Sequence, residues 1–286
     1  MELDDAVAVF NEVRPRLMGI AYRMLGSHTE AEDLVQEVWL RWQAADRSTV
    51  QSPVAYLSTA VTRLAINASQ SARARRETYI GPWLPEPVDT SADPYLGAER
   101  GEALSFAVLL VLERLSPTER AAYILREAFD YPYDELATML QSTEPAVRQL
   151  VSRARKRIRA ERRTEVSGSE QKTLLSAFVE AARSGDLAVL EQLLAKDAIS
   201  YSDGGGAARA SKFPVVGRER VAKYYRSFHT RFWVGVDVVF GTANGRAVAM
   251  LRRDGEVFAV CTVIASADGI DEVLMQMNPA KLTAVA

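Results

Sequence analysis

The residue pattern of the chain changes at Val166-Ser167-Gly168, and this change constrains the fold more than any other feature. Before it, apolar residues recur at spacings of three and four, which is typical of amphipathic helices. After it, β-rich runs alternate with Asn-Gly or Asp-Gly pairs, the dipeptides of tight hairpin turns. These runs cover residues 234–240, 246–252, 256–265 and 270–277. The 286 residues therefore combine helical domains with one α+β domain, a length that suits two or three domains.

The α+β part also contains helical segments, at about 170–183, 187–196 and 218–231. One further strand precedes Asp203-Gly204-Gly205-Gly206. We therefore expect three helices packed against a curved antiparallel sheet, with an internal cavity.

Residues 134–163 form the clearest unit of the helical part. A short helix is predicted from Asp134 to Leu140, and a second helix begins after the turn at 141–143 and runs to about residue 163. The second helix has an apolar face at helical spacing, formed by Val147, Val151, Ala154 and Ile158. Two helices joined by a short turn predict a helix-turn-helix, whose second helix enters the major groove.

Charge on the second helix supports this interpretation. Residues 146–163 carry eight basic side chains against Glu161 alone. The face opposite the apolar stripe carries Gln149, Ser152, Arg153 and Lys156, with Arg148 and Arg159 on its flank. The residues predicted to read duplex DNA are Arg148, Gln149, Ser152, Arg153 and Lys156. Arginine can pair with guanine and glutamine with adenine, and the other cations suit phosphates. The alternative is a generic solvated helix pair.

Residues 53–76 indicate a different chemistry. Aromatic, amide and cationic side chains lie along one predicted helix that ends in a run of arginines. Such a set suits unstacked single-stranded bases. The candidate residues for melted DNA are Arg63, Asn67, Arg73, Arg75 and Arg76. The alternative is that Tyr56 on this helix is simply a core residue.

Residues 78–98 contain six prolines and glycines and are predicted to be a linker. The segment YIGPWLPEP within it is too apolar for a solvated tether. We therefore expect this segment to dock on another part of the protein.

Composition excludes several classes of site. Cys261 is the only cysteine and His28 and His229 are the only histidines, so we expect no disulfide, metal site or cofactor. No run reaches the roughly 20 apolar residues that span a bilayer. The acidic residues Glu2, Asp4 and Asp5 disfavour a signal peptide. We therefore expect a cytoplasmic protein without a membrane partner.

Three segments resemble the extracytoplasmic-function sigma factors, namely HTEAEDLVQEVWLRW (28–42), TRLAINASQSARARR (62–76) and LSPTERAAYILREAFDYPYDELATMLQSTEPAVRQLVSRARKRI (115–158). The resemblance covers about residues 8–163. It implies two all-α domains and promoter DNA, duplex and melted, as a partner. It also implies that Asp33, Gln36 and Glu37 help to dock the β′ clamp of core RNA polymerase.

Three further motifs resemble one subgroup of that family, which carries a fused SnoaL-like domain. They are WLPEP (83–87), DGGGA (203–207) and NPAKL (278–282). The subgroup usually has lysine and aspartate where this chain has Ala207 and Ala280. The resemblance implies a cone-shaped α+β domain with a regulatory role. The expected regulatory residues are Trp83, Leu84, Pro85, Asp203, Gly204, Gly205, Gly206, Asn278, Pro279, Lys281 and Leu282.

The resulting prediction is a multidomain sigma factor. It comprises region 2 (1–77), a linker (78–98), the region 4 helix-turn-helix (99–165) and a SnoaL-like domain (169–286) that regulates the same chain. The regulation implies an intramolecular contact between the SnoaL-like domain and the sigma domains. We expect no catalytic residue.

Two alternatives remain. A SnoaL-type enzyme or small-molecule sensor would use Asp203, His229 or Asp237, and ligand sensing is compatible with either role. A one-component ligand-sensing helix-turn-helix regulator would leave residues 28–76 unexplained.

Overall fold

The computed structural model describes residues 3–89, 105–161 and 164–285, apart from the side chains of residues 3, 73–75 and 77. The chain divides into two compact units. The first unit comprises Met1–Glu77 and Asp93–Glu161, and the second comprises Thr78–Ala92 and Arg162–Ala286.

The first unit begins with helices α1 (Leu3–Leu25), α2 (His28–Ala44) and α3 (Pro53–Glu77). Ser27 caps α2, because its hydroxyl accepts a hydrogen bond from the Glu30 amide at 3.2 Å. Residues at helical spacing on α2 are buried, namely Ala31, Leu34, Val35, Val38 and Trp42. The indole of Trp42 donates to the carbonyl of Ala6 at 3.1 Å, which joins α2 to α1.

The unit continues with α4 (Phe106–Leu112), α5 (Pro117–Glu127), α6 (Tyr133–Met139) and α7 (Glu144–Glu161). Helix α5 begins with a reciprocal capping box between Ser116 and Glu119. The predicted apolar face of α7 is buried against its neighbours, at Val147, Val151, Ala154 and Ile158. Helices α6 and α7 thus form the predicted helix-turn-helix.

Buried arginines join the two helical groups of the first unit. Arg120 donates to the Met24 carbonyl at 2.5 Å and to the Glu113 carboxylate at 2.8 Å. Arg23, which is 1% exposed, lies 5.1 Å from the ring centroid of Phe129. Buried charges persist only when they are paired or hydrogen-bonded, so these contacts fix how the groups pack.

The second unit contains helices α8 (Gly168–Ser184), α9 (Leu187–Leu193), α10 (Arg218–Ser227) and α11 (His229–Phe232). Its strands are β1 (Leu194–Asp203), β2 (Val215–Val216), β3 (Asp237–Ala243), β4 (Arg246–Arg253), β5 (Glu256–Ser266) and β6 (Gly269–Gln276). They form one sheet in the order β2-β1-β6-β5-β4-β3. Phe178 on α8 packs edge-on against Tyr225 on α10 at 4.8 Å between ring centroids, and both contribute to the core.

The expectation of an antiparallel sheet is wrong at one pairing, because β1 and β6 run parallel. Hairpin dipeptides report only strands that are neighbours in sequence, whereas parallel strands need a long crossover. The predicted helix at 187–196 ends at Leu193, because Leu194 already pairs with Ile270 in the sheet. The predicted helix at 218–231 is interrupted at Phe228. None of the described helices is long and apolar enough to cross a membrane.

Candidate functional site

The five residues predicted to read duplex DNA lie together on α7. Arg148, Gln149, Ser152, Arg153 and Lys156 are all exposed, whereas the opposite side of the helix is buried. The surface is therefore open to a ligand and strongly cationic.

Ion pairs restrain part of this surface. Arg148 pairs with Glu144 one turn earlier and lies 4.1 Å from the ring centroid of Tyr133. Arg153 pairs with Glu119 at 3.3 Å. Exposed pairs of this kind contribute about 0–1 kcal/mol, so phosphate oxygens can replace them at little cost.

The candidate residues for melted DNA on α3 are in a different state. Arg63 and Asn67 are exposed, but the Arg63 guanidinium donates to the carbonyls of Met139 at 3.1 Å and Thr138 at 3.2 Å. Arg76 donates to the Leu25 carbonyl at 2.6 Å and pairs with Glu113. Two of the predicted cations thus bind protein groups of the first unit. The side chains of Arg73 and Arg75 lie outside the described part of the structure.

The residues expected to contact polymerase lie on α2. Asp33, Gln36 and Glu37 are all exposed, at spacings that place them on one side of the helix. Glu37 pairs with Arg41 at 2.8 Å. Asp33 and Glu37 make this surface acidic.

The predicted docking of the linker is confirmed within the second unit. We use "docked linker" for residues 78–89. Its segment 84–88 is buried throughout. The main-chain amide of Val88 donates to the Asn244 side-chain oxygen at 3.0 Å. The main-chain amide of Asn244 donates back to the Val88 carbonyl at 2.9 Å. Gln276 donates to the Leu84 carbonyl at 3.4 Å. The linker is therefore held like an element of the second unit.

Asp203 is the centre of the docking site. It is 0% exposed, and its carboxylate accepts hydrogen bonds from both the linker and the domain that binds the linker. The donors include Tyr79 Oη at 2.6 Å, Lys281 Nζ at 2.7 Å, the Leu84 amide at 2.9 Å and the Gly205 amide at 3.1 Å. We call Asp203, Lys281, Tyr79, Leu84 and Gln276 the Asp203 network. Such saturation of a buried carboxylate compensates for its lost hydration.

Lys281 bridges the linker and the end of the domain. Besides Asp203, its ammonium donates to the Leu84 carbonyl at 2.7 Å. It also lies 4.3 Å from the ring centroid of Trp83 and 5.0 Å from that of Tyr79, within cation–π range. Burial, followed by the adjacent carboxylate of Asp203, raises the pKa of Tyr79 above its ordinary value. Tyr79 therefore remains a hydrogen-bond donor at neutral pH.

The glycine run after Asp203 has a steric role. Gly205 has φ +57°, and a Cβ there would lie 2.3 Å from Nδ2 of Asn278. Asn278 in turn donates to Tyr79 Oη at 2.8 Å. A side chain at position 205 would therefore displace the asparagine that supports the linker.

The other expected regulatory residues surround this point. Pro85 O accepts from Gln276 at 3.5 Å, Pro279 begins a short 3-10 helix and Leu282 is 3% exposed. Ala207 and Ala280 are both outside the Asp203 network, so the departures from the subgroup motifs leave its contacts intact. Sequence reasoning missed Gln276 and Asn244, and only the alternation within β6 and the hairpin turn could have indicated them.

The candidate catalytic groups do not form a shared acid–base pair in the described contacts. Asp203 is used by Lys281 and the linker. Nδ1 of His229 bonds to the Arg226 carbonyl at 2.7 Å, and Asp237 is exposed at the start of β3. Within residues 3–89, 105–161 and 164–285, no group of three or more His, Cys, Asp and Glu could hold a metal ion.

Both helical groups of the first unit match known protein families. The family Sigma-70 region 2 matches residues 9–76, and Sigma-70, region 4 matches residues 105–158. The ECF RNA polymerase sigma factor SigJ of Mycobacterium tuberculosis is 37% identical over 269 residues, which cover 92% of this chain and 83% of that protein. The probable ECF RNA polymerase sigma factor SigI of the same species is 33% identical over 195 residues, 67% of each chain.

A solved structure extends the likeness to almost the whole chain. The crystal structure of the Mycobacterium tuberculosis extracytoplasmic function sigma factor SigJ has a TM-score of 0.77 and 31% identity. The match covers 97% of this chain and 98% of that chain.

Proposed function

This chain belongs to the extracytoplasmic-function sigma factors, which direct RNA polymerase to promoters, and from that premise we propose that its second unit regulates this activity by holding the docked linker. The observation that carries the proposal is the Asp203 network. It binds the segment that follows region 2 in the chain. Regulation would then act on the connection between the two promoter-reading regions.

The length of the connection gives a physical basis for this regulation. Helix α3 ends at Glu77 and α4 begins at Phe106, so 28 residues (78–105) connect them. Fully extended, they span at most about 95 Å, at roughly 3.4 Å per residue. Docking fixes residues 78–89, and the 16 that remain (90–105) span at most about 55 Å. A shorter free connection restricts how far regions 2 and 4 can separate on DNA.

The state of α3 agrees with a restricted form. Arg63 and Arg76 bind carbonyl and carboxylate groups within the first unit. They must leave those partners before they can contact melted DNA. Releasing the linker lowers the cost of separating regions 2 and 4, so it favours the DNA-reading form.

The macromolecular contacts follow from the exposed surfaces. We propose that α7 reads promoter duplex through Arg148, Gln149, Ser152 and Arg153, with Lys156 on phosphate. Asn67 and the cations of α3 would contact the melted strand, and the α2 surface with Asp33, Gln36 and Glu37 would bind the clamp of core polymerase. We expect these contacts with promoter DNA and core polymerase to form in the cytoplasm.

We assign the second unit a regulatory rather than a catalytic role. Its most buried carboxylate, Asp203, is already bound by a lysine, a tyrosine and two main-chain amides. An acid or base needs a free position for substrate. The Asp203 network instead has the saturated hydrogen bonding of a structural contact.

A single substitution in the linker tests the proposal. Leu84 is 2% exposed, so Leu84→Asp places a charge at a buried position and should release the linker without altering the domain that binds it. We expect faster hydrogen exchange across residues 78–89 and a several-fold rise in promoter-dependent transcription by purified core polymerase.

Ile80→Asp is the matched control, because Ile80 is in the same segment and 55% exposed. It should leave both measurements near those of the unmodified chain. Released linker with unchanged or reduced transcription, at equal binding to core polymerase, would overturn the proposed regulation.

A further inference from the structure

A cavity in the second unit lies beside α10, α11 and the ends of β1 and β6. Its volume is about 70 Å³, and it is open to solvent on one side. Aromatic side chains dominate its lining, notably Tyr224, Phe228, Phe232 and Trp233. Nothing in the proposed regulation by the linker uses this space.

The aromatic rings are arranged edge to face. Tyr224 and Phe228 are 5.0 Å apart between ring centroids, and Phe232 and Trp233 are 5.2 Å apart. Met275 and Met277 complete an apolar side. Phe228 remains 44% exposed, so the aromatic surface continues from the cavity to its mouth. Rings and thioethers of this kind favour a planar apolar ligand.

Arg209 adds one charge to this lining. Among the described residues, no acidic side chain lines the cavity. Within the same part of the chain, no carboxylate forms an ion pair with Arg209. A single cation beside an aromatic surface is complementary to an aromatic ligand that carries one negative charge.

The size of the cavity limits the ligand. An engineered cavity of about 150 Å³ holds benzene. The cavity of about 70 Å³ is therefore too small to hold a whole ring. Because the cavity is open, one ring of a ligand can enter it partly, while the substituent of that ring lies at the mouth.

We propose that this cavity binds a small aromatic carboxylate, with one ring among Tyr224, Phe232 and Trp233 and its carboxylate on Arg209. The site uses residues of the second unit alone. It gives the regulatory domain a ligand of defined chemical class.

The cavity and the Asp203 network share two strands. Ser202 lines the cavity, and Asp203 follows it in β1. On and just beyond β6, Met275 and Met277 line the cavity, whereas Gln276 between them donates to the Leu84 carbonyl. Successive residues of a strand point to opposite faces of the sheet. A ligand and the docked linker therefore bind opposite faces of the same paired strands.

This arrangement couples ligand binding to docking, a step that rests on the proposed regulation by the linker. Arg209 belongs to the loop that begins with Gly204, directly after Asp203. A ligand that orders this loop and the ends of β1 and β6 also stabilises the Asp203 network. Because coupling is reciprocal, the ligand favours the docked linker and lowers transcription.

Fluorine NMR on the full chain tests the site. The probes are 4-fluorophenylacetate, 4-fluorobenzoate and 3-(4-fluorophenyl)propionate, and 2-(4-fluorophenyl)ethanol is the neutral comparison. We expect saturable binding of at least one acid, and roughly tenfold weaker binding of the alcohol, which corresponds to about 1.4 kcal/mol. No saturable binding of any acid at millimolar concentration would overturn the site.

Two variants, with a third as control, separate the contribution of the charge from that of the ring contact. Arg209→Gln should weaken the acid about tenfold and leave the alcohol unchanged, while Arg220→Gln, at an exposed position of α10, should change neither. Phe228→Ala should weaken both probes. Equal affinity of the acid for the Arg209→Gln and unmodified chains would contradict the assigned role of Arg209.

Transcription with and without the bound acid tests the coupling separately. We expect the acid to lower output from the unmodified chain and to have no effect on Leu84→Asp. Binding of the acid without any change in transcription would contradict the coupling but would still support the ligand site. If Leu84→Asp itself fails to raise output, the proposed regulation fails, whatever the NMR shows.

Discussion

The charged side chains of α7 are exposed to solvent, whereas those of the Asp203 network are buried. On α7, Arg148 and Arg153 are exposed, and each pairs with a carboxylate that solvent also reaches. In the Asp203 network, Asp203 is 0% exposed and Lys281 is 8% exposed, and the partners described for both are protein groups. The first arrangement allows partners to be exchanged, and the second resists exchange.

This difference fits the separate roles proposed for the two sets of cations. A DNA-reading arginine must leave its protein partner at little cost, and exposed pairs of about 0–1 kcal/mol allow that. A regulatory contact must persist until a specific event breaks it, and a buried pair has no water to replace a lost partner. Arg63 and Arg76 are intermediate, because they bind protein groups near the surface.

The largest predicted effect comes from breaking the buried pair. Lys281→Met leaves the Asp203 carboxylate buried without its cation, so we expect the second unit to lose about 3–5 kcal/mol of stability. Cys261 is the only cysteine and is buried, and its burial raises the pKa of the thiol to about 12. The rate at which a thiol reagent modifies Cys261 therefore measures opening of the second unit.

The double variant Asp203→Asn with Lys281→Met is the comparison for this experiment. It removes both charges together, so its loss of stability should be well below that of Lys281→Met alone. Equal losses for the single and the double variant would contradict a buried, compensated pair.

A smaller effect is predicted for α7. Arg148→Ala and Arg153→Ala should each cost roughly 1–3 kcal/mol in promoter discrimination, with little change in stability. Selection from a promoter library randomised in the duplex element, with the assembled holoenzyme, measures the preference. Arg159→Ala, beyond the predicted base-reading set, should lower affinity uniformly. Uniform loss for Arg148→Ala would identify it as a phosphate contact.

The smallest effect concerns the acidic partner on α7. Glu144→Gln removes the exposed pair with Arg148 and should change the free energy of unfolding by only about 0.3–0.5 kcal/mol. Denaturant unfolding checks this value, and promoter affinity should stay equal or rise slightly. A loss above about 1 kcal/mol, the upper end for exposed pairs, would show that the α7 pair resists exchange as the buried pair does.

Much of the helical half could be predicted because its signals are local. Caps such as Ser116 with Glu119, and the apolar stripe from Val147 to Ile158, depend on residues within one or two turns. The convergence of Trp83, Asp203 and Lys281 was expected only through resemblance to a subgroup. Their contact depends on chain segments far apart in sequence, which periodicity does not encode.

The missed features are all long-range or partner-dependent. The parallel pairing of β1 with β6 has no hairpin signal, and Gln276 gains its role only from that pairing. Arg63 looked like a free DNA-binding cation, yet its partners are carbonyls of Thr138 and Met139. A main-chain acceptor leaves no trace in residue identity, so sequence could not have indicated this contact.

The docked linker precedes in the chain the residues that bind it, and this sets an order of events during synthesis. Lys281 is made about 200 residues after Tyr79, which takes a ribosome roughly 10–40 s at 5–20 residues per second. Regions 2 and 4 are therefore complete, and can fold, before the residues that bind the linker exist. Each new molecule passes through an early period in which its linker is free, and docking begins only after Lys281 has been made.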